Sequence, residues 1–446
     1  MSTETTVTTP SGAEPESPDV VVLKTLKRQM SPRKRIALGA FFVLVGALTV
    51  WGLGFGAKSG VTATFNLSAP DAALHVPDLR SPAHNVNVVL GALIVAVGVW
   101  QAIKGLPPRA LRWTSIVVGV AFVFAFLSWA ATGQQGGSTI DLLGLMQQSI
   151  FLSIPLILGS MAGILCERTA VINVAIEGQL LAGAFAGALF GSVTHNLGLG
   201  LVAAVVAGGL VSALLAVFAI RYMVNQIIVG VVINVLVLGL TGFIYDSLMQ
   251  PNQDTLNNPG FFSPIAIPGL SAIPIVGPLL FDANIIVYLT YVVIIAVDVA
   301  LLRTRWGLRT RAVGEHPKAA DTVGINVNRT RYRNVILGGC VAGLGGAFIT
   351  IGAVGAFTKN ISSGKGFIAL AAMIFGRWSP RGALAAALLF GFCDALATVL
   401  SFIQAPVAIP SNLLSMLPYL ATLFAVAGVV GRVRAPAADG EPYTKG

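Results

Sequence analysis

Leu199–Ile220 reads LGLVAAVVAGGLVSALLAVFAI, an unbroken stretch without one charged side chain. Wound as a helix at about 1.5 Å per residue, it covers about 30 Å, the thickness of a bilayer's hydrocarbon core. It has no polar stripe to turn toward water, so lipid or protein must surround it. The pattern recurs on both sides: Ile36–Phe55, Val86–Ile103, Trp113–Ala131, Ile150–Leu165 and Ala175–Ser192 precede it, and Ile227–Tyr245, Ile285–Leu302, Val335–Val354, Gly382–Leu400 and Leu413–Val430 follow. Phe367–Phe375 is apolar but too short to stand upright. It predicts a half-helix, since irregular backbone at membrane depth persists only inside protein or beside water. The expected fold is an all-α polytopic membrane protein with about 11 transmembrane helices plus one short half-helix.

Composition agrees. Only 10% of the 446 residues are charged and 55% are hydrophobic, too few charges to cover a water-facing surface. The fifty glycines suit close helix–helix contact in lipid. A net charge of +10 raises the question of nucleic acid, but the basic residues gather in a few loops between apolar runs, which is a signature of membrane orientation. With the N-terminus cytoplasmic, Lys104, Arg109, Arg112, Arg221 and the arginine-rich loop Arg303–Arg333 fall inside. Gly133–Gln148, Thr194–Gly198, Met249–Asn284 and Gln404–Asn412, which carry no lysine or arginine, fall outside; Lys359 and Lys365 run against the rule. Counting the half-helix as a crossing returns the C-terminus to the cytoplasm. The division expected is a cytoplasmic tail 1–35, three additional N-terminal helices within 36–135 with the first uncleaved, a core 139–434 and a cytoplasmic tail 435–446.

The loop Arg303–Arg333 is too long and polar for a turn. Within it, Val313–Ile325 reads VGEHPKAADTVGI. Glu315 and Pro317 suit a first helical turn, Lys318–Val323 continues it, and Gly324 stops it. A short amphipathic helix on the cytoplasmic face is what a channel needs to receive a push from a soluble motor; an ordinary solvated loop helix would read the same way.

The stretch TRWGLRTRAVGEHPKAADTVGINVNRTRYR resembles the coupling segment of ABC importer permeases of the branched-chain amino acid, ribose and nucleoside group, which typically reads GExPxAAxxxGI. The match falls on Gly314, Glu315, Pro317, Ala319, Ala320, Gly324 and Ile325. Three further blocks are similar to that family: Cys166–Gln179 (CERTAVINVAIEGQ), Asn225–Phe243 and Gly364–Pro380. The last two are nearest the nucleoside, guanosine-type permeases. Ala170 and Ala175 depart from the pattern, standing where glycines are usual. The resemblance implies an ATP-binding cassette ATPase partner, a second and non-identical permease, an extracytoplasmic solute-binding lipoprotein meeting the outer loops, and a nucleoside or related small solute, with simple sugars as the alternative.

Polar residues at membrane depth are candidates for a translocation path. Asn173, Glu177, Asn225 and Asn234 could face a hydroxyl- and amide-bearing solute, or each could serve as interhelical glue or, for Glu177, as a helix N-terminal acid. Asp298 and Asp394 read as structural polar contacts; the rival is a secondary transporter in which Glu177, Asp298 or Asp394 carries a coupling ion. No catalytic constellation or metal-ligand spacing is seen: His75, His84, His195 and His316 are scattered, and Cys166, Cys340 and Cys393 lie in or beside apolar runs. No phosphate loop occurs, because Lys359 stands where the first glycine before Gly364-Lys365 should be. The chain is thus expected to bind no cofactor of its own and to be no enzyme, ATP being hydrolysed in a partner.

Overall fold

The computed structural model describes residues 31–68, 75–133, 139–403, 405–407, 410–417 and 434–445. Among these, 10 helices are long and apolar enough to cross a membrane. They are α1 (Pro32–Gly54), α2 (Ala83–Ile103), α3 (Pro108–Ala130), α4 (Leu142–Glu167), α5 (Ile176–Thr194), α6 (Leu197–Arg221), α7 (Gln226–Met249), α10 (Ile285–Arg303), α13 (Val327–Val354) and α15 (Pro380–Phe402). Between α7 and α10 lie the short helices α8 (Gln253–Leu256) and α9 (Val276–Leu280); between α10 and α13 lie α11 (Arg305–Glu315) and α12 (Pro317–Thr322). The half-helix is α14 (Lys365–Phe375), and α16 (Ser411–Ser415) follows α15. The eleventh expected span, Leu413–Val430, lies mostly outside the described residues.

The helices begin where local chemistry starts them. Asp141, Asn196, Asn225, Asn284 and Asn326 each accept backbone N–H bonds at the head of α4, α6, α7, α10 and α13, satisfying donors that have no partner within the helix. The spans that start farthest ahead of their apolar runs are α4, at Leu142 rather than Ile150, and α13, at Val327 rather than Val335. The polar first turns are helical because capping and packing, not hydropathy, set a helix's start.

α4, α5, α6 and α13 form the centre of the core. Gly343 lies where α13 crosses α6, and a Cβ there would collide with the Ala204 carbonyl; small residues permit this approach where lipid supplies no hydrophobic drive. α4 and α13 are buried over most of their length, while α1, α2 and α3 keep most of their surface open. Those three leading helices join the core at one end. There β1 (Thr62–Asn66) pairs antiparallel with β2 (Leu79–Pro82) and parallel with β3 (Thr139–Asp141), which leads into α4. Phe65, Leu127, Ile140, Leu145 and Leu396 pack around this small sheet. A second hairpin, β4 (Ile265–Ala266) with β5 (Asp282–Ala283), precedes α10.

Candidate functional site: coupling segment and half-helix clamp

Thr304, extended at φ −113°, caps α11 by accepting from the Gly307 N–H. Pro317 fixes His316 in extended backbone at φ −142°, so α11 ends at Glu315 and α12 starts with the proline at its first position, where a missing N–H costs nothing. This corrects the expected place of Glu315. It closes the preceding helix, and its carboxylate accepts from the Ala437 N–H at 3.3 Å. Gly324, at φ +82°, ends the segment in the left-handed region.

The residues that match the family pattern divide by face. Ala320 is 3% exposed, packed with Val313, Val327 and Tyr443, and Ile325 is half-buried beside them. Gly314 is pressed so closely on the end of α4 that a Cβ would collide with the Arg168 carbonyl. Ala319 and Gly324 face outward together with His316, Lys318, Thr322 and Val323, while Pro317 is half-buried. Beside this face, a cleft of about 950 Å³ is lined by Arg309, Arg329 and Arg333.

Residues 434–445, which take in most of the expected tail 435–446, pack beneath the segment. The Ala438 N–H donates to the Gly314 carbonyl at 3.0 Å, Arg331 Nη1 donates to the Glu441 carbonyl at 3.0 Å, and Gly440 lies against Ile172. Burial raises the Asp439 carboxyl above the usual range, against the pull of the Gly440 N–H and the Arg331 guanidinium.

The second part of the site joins two of the blocks singled out in the sequence. α14 runs alongside the second half of α4, Ala369 at Gly159 and Met373 at Gly163, and Cys166–Gln179 grips it at both ends. At its head, the Glu177 carboxylate accepts from Ser362 Oγ at 2.5 Å, Gly364 N at 2.9 Å and Gly366 N at 2.6 Å. The acid therefore meets the positive end of the half-helix. Gly366 is required there, since a Cβ would collide with the Glu177 backbone. At its foot, Arg377 and Trp378 stand at φ +57° and +51°, a conformation that costs about 1–2 kcal/mol per residue. Trp378 is held in it by its neighbours: its Nε1 donates to Glu167 Oε2 at 2.5 Å, and Arg168 Nε and Nη2 donate to its carbonyl at 2.9 and 2.7 Å.

The remaining candidates fasten the non-helical break between α4 and α5. Asn173 and Gln179 exchange side-chain hydrogen bonds at 3.1 Å, and Asn173 Nδ2 also donates to Cys166 Sγ. Asn234 accepts from Gly178 N at 2.8 Å and donates to the Val174 carbonyl at 2.9 Å, tying α7 to α5. Asn225 caps α7, and next to it Gln226 accepts from Ile172 N at 2.6 Å. Asn173, Glu177 and Asn234 thus each make buried hydrogen bonds around the break, and Asn225 stands at its edge with an exposed side chain. Ala170, where a glycine is usual, sits at φ +64°; the left-handed backbone is a physical reason for a glycine there. Asp298 takes a forked bond from Arg381, with contacts of 2.9 to 3.2 Å. Asp394 is half-buried in α15.

Sequence reasoning missed Glu167, Arg168, Trp378 and the 434–445 contacts. Glu167 and Arg168 lay inside a quoted block, but their partner is more than two hundred positions away. Asn234→Leu is expected to lower the melting temperature of the purified protein by a few degrees, because Gly178 N–H and Val174 C=O lose partners at about 1–3 kcal/mol each. Altered uptake affinity at unaltered stability would instead put Asn234 on the solute path.

Residues 145–427 match the family described as branched-chain amino acid transport system / permease component. The guanosine ABC transporter permease protein NupQ of Bacillus subtilis is 41% identical over 302 residues, 66% of this chain and 93% of that protein. The nucleoside ABC transporter permease protein NupC of Lactococcus lactis subsp. cremoris is 37% identical over 66% of this chain and 94% of its own length. A putative glucose ABC transporter permease protein of Haloferax volcanii is 33% identical over 57% of this chain and 76% of its own length. No solved structure matches. The matched region starts at the head of α4 and contains both the coupling segment and the clamped half-helix. The chain is a member of the branched-chain amino acid transport system permease-component family, the membrane-spanning permease subunits of ABC importers.

Proposed function

We propose that this chain carries nucleosides into the cell as one of two non-identical permeases, driven by separate ATP-binding cassette ATPase subunits that grip α12 and fed by an extracytoplasmic binding lipoprotein. The observation that carries the coupling part is the two-sidedness of α12. Its exposed face, flanked by arginines, is free to meet a partner, while Ala320 and Gly314 seat the segment on the bundle. The arginine-rich end, with both chain termini, is then cytoplasmic. The nucleoside part rests on the identities to the guanosine and nucleoside permeases, 41% and 37%. The chain needs no cofactor for this work.

An ion-coupled mechanism is the weaker reading, since Glu177 and Asp298 are already engaged by three donors and by a forked arginine. The test is uptake of radiolabelled guanosine by cells with and without the chain. Expected is uptake that needs ATP, survives a protonophore while ATP is maintained, and is competed by unlabelled nucleosides but not by glucose. Competition by glucose alone would assign a sugar. Collapse with the protonophore would assign ion coupling.

A further inference from the structure

We infer that Arg434–Lys445 is a positioning strap of the coupling machinery, tying α12 to the break between α4 and α5; the inference rests on the proposed grip of an ATPase on α12. The strap touches parts of the permease that are far apart in sequence. Its first half lies on the end of α11, where Ala438 N donates to the Gly314 carbonyl and Ala437 N reaches Glu315. Gly440 rests on Ile172 inside the break. Its second half reaches α13 through Arg331 and the Glu441 carbonyl. It ends on α12, with Tyr443 packed on Ala320 and its hydroxyl near the Asp321 carboxylate.

What lies beyond Ile172 gives the strap its reach. The Ile172 N–H donates to Gln226 at the head of α7. Asn173 pairs with Gln179 of α5, and the Val174 carbonyl accepts from Asn234 of α7. Two residues after Ala175, Glu177 seats the half-helix. A displacement of α12 therefore has an unbroken packed route through Tyr443, Gly440 and Ile172 to α5, α7 and α14, beside the direct contact of Gly314 with Arg168. Such a route counts as coupling only if weakening it uncouples the two ends.

The strap's polar contacts fit a working element better than a permanent plug. Arg331 is 1% exposed, yet its Nε and Nη2, like Asp439 Oδ1, have no hydrogen-bond partner among the described residues. Burying these groups with incomplete pairing opposes docking. The apolar hold of Tyr443, Ala438 and Pro436 is offset by that cost, which leaves a strap able to follow motion.

The experiment uses the assembled transporter in proteoliposomes, with Pro436–Tyr443 replaced by a Gly/Ser stretch of equal length, and separately Tyr443→Ala and Tyr443→Phe. Guanosine uptake per ATP hydrolysed is expected to fall about tenfold in the Gly/Ser variant, the scale of an ordinary coupling free energy. ATPase recovery in pull-down and the hydrolysis rate should stay within about twofold of the parent, well inside that scale. Tyr443→Phe, which keeps the packing, should restore most of the ratio that Tyr443→Ala loses. An unchanged ratio overturns the inference, and so does loss of the ATPase together with uptake, which would make the stretch a docking platform. A second readout needs no solute: with Val174→Cys as the sole cysteine, ATP should change the thiol-labelling rate in the parent and not in the Gly/Ser variant. If the parent takes up no guanosine but shows this ATP-dependent labelling, the substrate reading fails and the strap stands; if labelling is ATP-insensitive in the parent or ATP-sensitive in both, the strap fails.

Discussion

Glu177→Ala is expected to bring ATP-driven uptake below a tenth of the parent value while the protein still inserts. The carboxylate is the common acceptor for Ser362 Oγ, Gly364 N and Gly366 N. Removing it leaves three donors at the head of a short helix without their acceptor, each at about 1–3 kcal/mol. The helix dipole also loses its counter-charge, worth up to about 2 kcal/mol in a partly buried setting. α14 has only 11 residues with which to resist, so its head should leave α5. Glu177→Gln is the informative companion. It keeps the shape and one acceptor oxygen but turns an amide NH2 toward a backbone N–H, so it should fall between parent and alanine. An added Ala369→Cys, on the face of α14 buried against Ile176 and Leu180 of α5, should become more reactive in the order parent, glutamine, alanine. Uptake by Glu177→Gln at the parent level, ATP-dependent and with parent reactivity at that cysteine, would show that the clamp needs no charge.

Which features were legible in the sequence follows from the range of the forces involved. Spans are written locally, because some twenty consecutive apolar residues can be read without knowing what they touch, and Phe367–Phe375 announced a half-helix by its length alone. Caps are local too, and Pro317 and Gly324 took the expected places at either end of α12. Glu315 was misplaced by weighing one local rule and neglecting another. An acid two residues before a proline resembles a first turn, but the proline forbids helical backbone at His316 and so hands Glu315 to the preceding helix. The clamp was half legible. Both of its blocks stood out, but nothing in either says that Glu177 reaches Gly364, 187 positions away. The strap was illegible, since Ala-Pro-Ala-Ala-Asp-Gly has no periodicity and its partners lie on α11, α13 and the α4–α5 break.

Ala320→Asp and Ala319→Asp, one position apart, are expected to fail for different reasons. Ala320 lies between Val313, Val327 and Tyr443 at 3% exposure. A carboxylate there must either be buried unpaired, at several kcal/mol, or push α12 off the bundle. α12 has six residues and one well-buried side chain, so it should give way. Insertion, which depends on the spans, is expected to remain normal while uptake falls below a tenth of the parent. Thiol labelling of an added Ile325→Cys in the permease alone should rise, because Ile325 is half-buried beside Ala320 and the handle has come loose before any partner arrives. Ala319 is exposed, so its aspartate costs the isolated permease little and labelling at Ile325→Cys should not change. Its effect should appear when the ATPase is added, as weaker recovery in pull-down and lower uptake. If both variants behave alike in the absence of the ATPase, the division of α12 into a seated face and a gripped face is wrong. Full uptake by Ala320→Asp would remove α12 from the coupling route altogether.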